Sequence, residues 1–293
     1  MSTQPTAATA AHLTSPALDE QSAREKQQHL LAQLGALDSV LIAFSGGADS
    51  AYLAWAAHTA IGSRALAITA LSPSYSQHDR EQAEGLVRAT AIRHEFIETH
   101  EFGNPLYVAN GADRCYHCKD ELFDRMDALA RDRGVRAIAY GINADDTHDF
   151  RPGHRAAHEH NILAPLLDAN LTKAEIRFLS REAGLPTWDR PASACLSSRV
   201  PYGTAVTPEL LGKIERAEAS LRALGFRQFR VRAHGELARI ELAMDEMAKC
   251  LDPEMASRIA AGVRAAGFAI VALDPNGYRQ GSLNTLLKAA GPK

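Results

Sequence analysis

The hexapeptide Ser45-Gly46-Gly47-Ala48-Asp49-Ser50 follows without a break on the apolar run 39–44, and its residue types suit an anion. Two adjacent glycines let the backbone take left-handed dihedrals and turn its amides inward, while a helix opening there aims its free N–H groups and positive dipole end at the same point. The hydroxyls of Ser45 and Ser50 can donate to phosphate oxygens, and Asp49 can help to hold Mg²⁺ rather than touch phosphate directly. The segment has no Gly-Lys-Ser/Thr and no Gly-x-Gly-x-x-Gly, so it is neither a Walker A loop nor a dinucleotide loop. A plain serine-glycine turn capping a core helix is the alternative. The setting of the whole segment between a strand and a helix favours the phosphate reading.

Thiols are the second chemical resource. Cys195 lies in Ser193-Ala194-Cys195-Leu196-Ser197-Ser198-Arg199, a polar stretch in which the arginine four residues on can favour a thiolate, so it is a candidate nucleophile. The competing reading is a buried small hydrophobe, which is the reading adopted for Cys250 in its apolar helical context. Cys115-x-x-Cys118 has the spacing of metal or redox chemistry. With a distant third thiolate, the pair is enough to hold three irons of a 4Fe–4S cluster and leave one iron open to an extra sulfide. A structural zinc site using His117 or another histidine, or two ordinary thiols at the start of a helix, would use the same residues.

Charged residues in the last third form the third group. Arg230 and Arg232 alternate on an expected strand, so both leave one face and can grip a phosphate or carboxylates bidentately; a solvated strand face is the alternative. Glu218 and Glu241 could complete that site with a second cation, although acids at such spacing are common on surfaces. His148, His154, His158 and His160 lack a fixed metal spacing and fall in an expected loop, which reads as surface histidines.

The hexapeptide resembles the Ser-Gly-Gly-x-Asp-Ser signature of the PP-loop ATP pyrophosphatases, which implies that it holds the triphosphate while ATP is cleaved to AMP and pyrophosphate. Further segments narrow the resemblance: Arg114-Cys-Tyr-His-Cys-Lys119, Gly141-Ile-Asn-Ala-Asp-Asp146, Pro165-Leu166 with Leu-Thr-Lys-Ala-Glu-Ile-Arg177, and Pro191-Ala-Ser-Ala-Cys-Leu-Ser-Ser-Arg199. Together they are similar to the LarE family of sulfur transferases, which help to build the nickel-pincer nucleotide of lactate racemase. The resemblance runs from about residue 31 to about residue 288, and the Cys195 segment is its most specific part. It implies an ATP-dependent sulfur insertase. Ser45, Gly46, Gly47, Asp49 and Ser50 would bind ATP, with Mg²⁺ on Asp49, while Arg199, Arg230 and Arg232 would bind a pyridinium biscarboxylic acid mononucleotide. The carboxylate would be adenylated and then attacked by Cys195. Members of the family that keep only the late cysteine sacrifice its sulfur, leaving dehydroalanine. Members with all three hold a 4Fe–4S cluster through residues matching Cys115, Cys118 and Cys195, and this sequence has all three.

The elements that must position these groups alternate. Helical periodicity over 25–34, 51–61, 77–90, 119–133 and 172–183 is interleaved with short apolar runs at 39–44, 65–70, 94–98 and 136–140, which predicts a parallel sheet with crossover helices. Thr172 is an expected N-cap, and Glu175 three residues on completes a capping box. Residues 1–22, rich in Ala, Thr, Ser and Gln, read as a flexible tail. The PP-loop domain then takes 23–188, a linker loop carrying Cys195 takes 189–206, and a smaller α/β domain for substrate and oligomer contacts takes 207–293. In that last part, Thr207-Pro208-Glu209 opens a helix to about residue 224, strands are expected at 229–233, 238–242 and 268–273, and a helix at 253–266.

Composition limits the alternatives. Lys and Arg total 32 against 35 Asp and Glu, so the net charge of -3 disfavours a stable nucleic-acid partner and with it a tRNA thiolase of the same fold. An amide-forming synthetase would need ammonia from a glutaminase domain or channel, which neither length nor composition supplies. A nucleotide-binding adaptor would need no loop thiol. No apolar run approaches the ~20 residues of a membrane span, and no signal-peptide pattern opens the chain. A cytoplasmic homo-oligomer is expected.

Overall fold

The computed structural model describes residues 18–148, 152–191 and 193–279. The apolar runs become four short strands, β1 (Val40–Ala43), β2 (Ala65–Leu71), β3 (His94–Glu98) and β4 (Ala137–Tyr140). They pair in parallel in the order β3-β2-β1-β4. β1 is buried along its whole length, because successive side chains leave opposite faces and both faces are covered. Val40 and Ile42 join the cluster built by α1 (Glu20–Gly35) and α2 (Ala48–Ile61), whereas Leu41 and Ala43 face the opposite cluster. Each fully buried aliphatic side chain there contributes about 1.5–3 kcal/mol.

Residues of α3 (Gln77–Thr90) also join the first cluster. The short α4 (Pro105–Val108) leads to α5 (Arg114–Arg133), whose Phe123 and Met126 fill the second cluster. After α6 (Pro152–Glu159) and α7 (Pro165–Asp168), α8 (Lys173–Glu182) returns to the first face. The Thr172 side chain accepts from the Glu175 backbone N–H, and Glu175 accepts from the Thr172 N–H, so the expected capping box forms and adds about 1 kcal/mol.

The second sheet is built by β5 (Phe229–His234), β6 (Leu237–Leu242) and β7 (Ile270–Leu273), in the order β5-β6-β7, with the first pair antiparallel and the second parallel. It packs on α9 (Pro208–Ala223) and α10 (Pro253–Ala265) through Leu211, Ile214, Leu221, Val231, Ile240 and Val263. The same core takes in Tyr107, Leu196 and Val200. The fold is therefore α/β, with an all-parallel sheet and a second, smaller sheet, as the periodicity predicts.

Some local expectations need correction. The helix expected from 25 starts at Glu20, because Asp19 caps it by accepting from the Gln21 and Ser22 N–H groups. The helix expected from 119 starts at Arg114 and so carries Cys115 and Cys118 on its first turns. Residues 152–159, expected as loop, form α6. Of the expected tail, 1–17 lies outside the described residues, as do Ala192 of the linker and 280–293 of the last part. No helix among the described residues is long and apolar enough to cross a membrane.

Strand order changes direction beside β1, with β2 on one side and β4 on the other, so the crevice beyond the carboxyl ends of β1 and β4 is the sheet's switch point. The hexapeptide leaves β1 at that crevice, and Gly141 leaves β4.

Candidate functional site

The loop after β1 is shaped by a few local bonds. Only Gly46 takes a left-handed backbone, at φ +75°; Gly47 is extended at φ -73° and ψ 165°, which corrects the expectation for both glycines. The Ser50 hydroxyl donates to Gly47 O and accepts from Ser45 N, both at 3.2 Å, and lies 3.2 Å from the Ser45 hydroxyl. No side chain caps the start of α2, so the first N–H groups of that helix remain available to an anion. Gly141 presses against this turn. A Cβ there would lie 2.9 Å from Ser50 N and 3.1 Å from the Asp49 carbonyl carbon, so only glycine lets the β4 end approach so closely.

Asp49 stands at the base of the loop. One carboxylate oxygen lies 3.3 Å from Lys173 Nζ, and the other is buried with no hydrogen-bond partner among the described residues. Burial pushes the Asp49 carboxyl upward, Lys173 opposes the shift, and Asp146 adds to it. A buried, orphaned oxygen in a carboxylate pair is the donor that a hard divalent cation satisfies, so Mg²⁺ fits here. Lys173, at the first position of α8, was not singled out by sequence reasoning, although it lies within a segment that carried the resemblance.

Two further cations fasten the linker, one to this loop and the other to α8. Arg190 Nη1 donates to Gly46 O at 2.7 Å, and Nη2 pairs with Asp79 Oδ1 at 2.9 Å. Arg177, one turn along α8 from Lys173, donates to the carbonyls of Trp188 and Arg190 at 3.0 and 2.6 Å. The Ser193 hydroxyl reaches Asp79 at 3.1 Å, and Leu196 N donates to Ser74 O at 2.9 Å. Sequence reading passed over Arg177, Arg190 and Asp79 because nothing in their spacing shows that they meet.

The thiols gather around Arg114. Its guanidinium donates to Asn110 Oδ1 at 2.5 Å and to Ser197 O at 2.8 Å, and lies 3.8 Å from Cys115 Sγ. It thereby ties the start of α5 to the turn that follows Cys195. Burial opposes the Arg114 charge, but Cys195 and Cys115 favour it and the net shift is upward. Burial pushes the Cys118 thiol up, and Cys195 and Glu101 push it in the same direction. Cys115, Cys118 and Cys195 thus share one neighbourhood across eighty residues of sequence, with soft donors suited to an iron–sulfur cluster. As they stand, the described residues contain no group of three or more His, Cys, Asp or Glu side chains arranged to hold a metal ion.

Arg199 is only 3% exposed and does not stand open beside the thiol. Its Nε and Nη2 donate to Glu218 at 2.9 and 3.0 Å, and Nη1 donates to the Ala194 carbonyl, to Cys195 O at 2.9 Å and to Ser198 Oγ at 3.1 Å. Arg199 therefore shapes the backbone around Cys195, and Glu218 balances its charge. Arg232 pairs with Glu241 at 2.8 Å and donates to Ser198 O at 2.8 Å, while Arg239 also reaches Glu241 at 3.1 Å. Glu218 and Glu241 are thus counter-ions of arginines, which is where the structure places the acids expected to take a second cation. Arg230 stacks over the Tyr278 ring at 5.1 Å; burial lowers its pKa, and neighbouring Arg199 lowers it further. Arg230 and Arg232 share the face of β5 that looks toward the Cys195 turn.

The histidines separate. His154 and His158 lie on α6, and the side chain of His148 lies outside the described residues. His160 is not a surface residue: its ring sits between Asp127 at 2.9 Å and Asp120 at 3.1 Å. Cys250 packs half-buried against the second core, in a short 3₁₀ turn at Met247–Leu251.

The chain is 42% identical over 262 residues to an uncharacterized protein of Synechocystis sp., a match covering 89% of this chain and 98% of that one. It is 32% identical over 266 residues to the pyridinium-3,5-bisthiocarboxylic acid mononucleotide synthase of Lactiplantibacillus plantarum, covering 90% and 96%. An uncharacterized protein of Methanocaldococcus jannaschii is 28% identical over 213 residues, covering 73% and 81%. No protein-family model matches the chain.

Proposed function

Since the chain belongs to the LarE family of pyridinium-3,5-bisthiocarboxylic acid mononucleotide synthases, we propose that it is an ATP-dependent sulfur insertase acting on a carboxylate of a pyridinium biscarboxylic acid mononucleotide. Loop 45–50 cradles the triphosphate with the backbone N–H groups at the start of α2, and Asp49 holds Mg²⁺, which offsets phosphate charge. The substrate carboxylate attacks the α-phosphorus and pyrophosphate leaves, so the carboxyl carbon becomes susceptible to a thiolate. Cys195 then displaces AMP and forms a thioester to the chain. Cleavage of the Cys195 Cβ–S bond would release the thiocarboxylate and leave dehydroalanine at position 195.

In the second sulfur route, Cys115, Cys118 and Cys195 would hold a 4Fe–4S cluster, which when bound would supply an exchangeable sulfide in place of the cysteine sulfur. Arg114 sets the spacing of these thiols in either route, because it joins the start of α5 to the turn after Cys195. Arg230 and Arg232, on the face that looks toward that turn, suit the phosphate and carboxylates of the nucleotide. Four free thiols suit a reducing compartment such as the cytoplasm. Assembly as a homo-oligomer is part of the same proposal.

The observation that carries this reading is the fastening of the linker that bears Cys195 to the anion loop through Arg190 on Gly46 O, with Leu196 N on Ser74 O holding it to the turn after β2 beside that loop. A protein that only bound a nucleotide would have no use for a thiol tied to its phosphate loop. The test is incubation of the protein, purified without oxygen, with Mg²⁺-ATP and the pyridinium biscarboxylic acid mononucleotide. Pyrophosphate release that depends on that nucleotide, with a product whose mass shows oxygen replaced by sulfur, is expected. Release that depends instead on tRNA, or on ammonia with an amide product, would transfer the chain to a thiolase or synthetase of the same fold.

A further inference from the structure

Arg190 has two partners that belong to different parts of the site. Nη1 lies 2.7 Å from the carbonyl oxygen of Gly46, the residue whose left-handed backbone turns the loop, and an atom added at the Gly46 Cβ position would lie 3.6 Å from the same nitrogen. The guanidinium therefore stands at the rim of the anion loop. Nη2 pairs with Asp79 in the first turn of α3, and the two side chains are 14% and 15% exposed. Asp79 is heavily engaged as well: it accepts from the Ser76 hydroxyl at 2.7 Å and from the Ser193 hydroxyl at 3.1 Å.

This arrangement sets two anions in competition for one cation. A polyphosphate bound in loop 45–50 carries several negative charges at the rim where Arg190 already stands, whereas Asp79 offers one. Guanidinium groups bind phosphate through two parallel charge-assisted bonds, which are among the stronger hydrogen bonds available to a side chain. The backbone on either side is poised to respond. Arg190 lies five residues before Cys195, and Ser193 between them is held by the same Asp79 carboxylate. Releasing Asp79 from Arg190 thus changes the hold on the thiol-bearing segment at two points.

We propose that Arg190 is a polyphosphate-binding residue that exchanges Asp79 for the phosphates of a nucleoside triphosphate, and so links occupancy of loop 45–50 to the placement of Cys195. The proposal rests on the nucleotide-binding reading above and goes beyond it, because it assigns a role to a linker residue and a restraining role to Asp79. The benefit is order of events: the thiol segment is repositioned only when a triphosphate is present to activate the acceptor.

Binding of Mg²⁺ with α,β-methylene-ATP to the full chain, measured by calorimetry beside AMP, tests it. Arg190→Gln should weaken the analogue by roughly ten- to hundredfold and leave AMP nearly unchanged, since AMP lacks the β- and γ-phosphates. Asp79→Asn should act in the opposite direction and tighten the analogue by roughly threefold to tenfold, because it removes the competing charge while its remaining oxygen can still accept from Arg190 and Ser193. In the Arg190→Gln background, Asp79→Asn should have no further effect. The rate at which iodoacetamide modifies Cys195, followed on its own peptide, should change on adding the analogue to the wild type but not to Arg190→Gln.

A merely structural role predicts otherwise: both substitutions would weaken the analogue and AMP alike, and that result overturns the proposal. Wild-type affinity for the analogue in every variant also overturns it while leaving the nucleotide-binding reading in place. A wild type that binds no analogue removes both. Should Arg190→Gln fold poorly by circular dichroism, Arg190→Lys serves, since it keeps the charge without the fork and should fall between the two.

Discussion

Arg199 and Glu218 form a two-point ion pair inside the protein, with Nε to Oε1 at 2.9 Å and Nη2 to Oε2 at 3.0 Å, and with 4% and 7% of the side chains exposed. Glu218 Oε1 also accepts the Val231 N–H at 3.1 Å, on the open side of β5, the edge strand of the second sheet. One carboxylate thus balances a buried charge and satisfies a strand edge. Through Arg199 Nη1 the pair fixes the carbonyl of Cys195.

Glu218→Gln should therefore destabilise the protein far more than loss of a surface ion pair. Leaving a buried guanidinium without its counter-ion costs about 3–5 kcal/mol. Urea unfolding followed by circular dichroism checks this. A loss below about 1 kcal/mol, the usual value of an exposed pair, would show that the pair is not insulated from water.

Gly141→Ala should damage the anion loop from outside it. The added methyl would meet the backbone of Ser50 and Asp49 at about 3 Å, and main chain cannot rotate away as a side chain can. Overpacking of this kind costs about 1–3 kcal/mol. The informative measurement is pyrophosphate release beside thermal stability. Activity should fall more steeply than the melting temperature, whereas a variant with full activity would show that the contact between β4 and the loop is not needed for ATP.

Asp49→Asn and Ser45→Ala should each abolish nucleotide-dependent pyrophosphate release while leaving the circular dichroism spectrum unchanged. Both remove polar contacts at the loop rather than core packing. Asp49→Asn should also raise thermal stability slightly, because burial already disfavours the Asp49 charge. Wild-type release in either variant would exclude the loop from ATP cleavage.

His160 should make stability depend on pH. Its two ring nitrogens face the carboxylates of Asp127 and Asp120, and Asp124 lies 4.0 Å away, so an acceptor stands at each nitrogen and the surroundings favour the protonated ring. Burial opposes that charge, but the bonds to Asp127 and Asp120 outweigh it, and the pKa rises above its ordinary 6.5. The sign follows: the folded state holds the proton more tightly than the unfolded chain. The contribution is complete below 6.5 and is lost as pH rises through the elevated folded value. Urea midpoints from about pH 6 to about pH 9 should fall in the wild type and fall less in His160→Asn. Equal slopes would refute the assignment.

Cys195 separates the two sulfur routes. If its own sulfur is donated, mass spectrometry after turnover should find position 195 lighter by H₂S, with one product per chain, and Cys115→Ser should be nearly silent. If a cluster is used, Cys195 should stay intact, and Cys115→Ser, Cys118→Ser or Cys195→Ser should each abolish iron–sulfur absorbance, because two thiolates hold a cluster poorly. The cluster outcome is expected, since the sacrificial route leaves Cys115 and Cys118 without a task. Sulfur delivery at the wild-type rate by Cys195→Ser would defeat both routes.

What the sequence by itself determined is local in origin. The apolar run at 39–44 followed at once by two glycines and a helical pattern has few ways to fold other than strand, turn and helix, and the alternation that follows it implies a parallel sheet. The capping box at Thr172 and the N-cap at Thr207 are contacts between residues three apart, so spacing alone reveals them. Tertiary structure decided the charge partners. Arg199 reads in sequence as the cation beside Cys195, four residues away; in the fold Glu218 pairs with it, and Arg114, some eighty residues earlier, is a second cation near the thiols. Asp79 and Arg190 meet across 111 residues, and Lys173 and Asp49 across 124. Electrostatic energy depends on separation in space and on burial, and neither quantity exists until strands order themselves as β3-β2-β1-β4 and bring the ends of distant segments to one crevice.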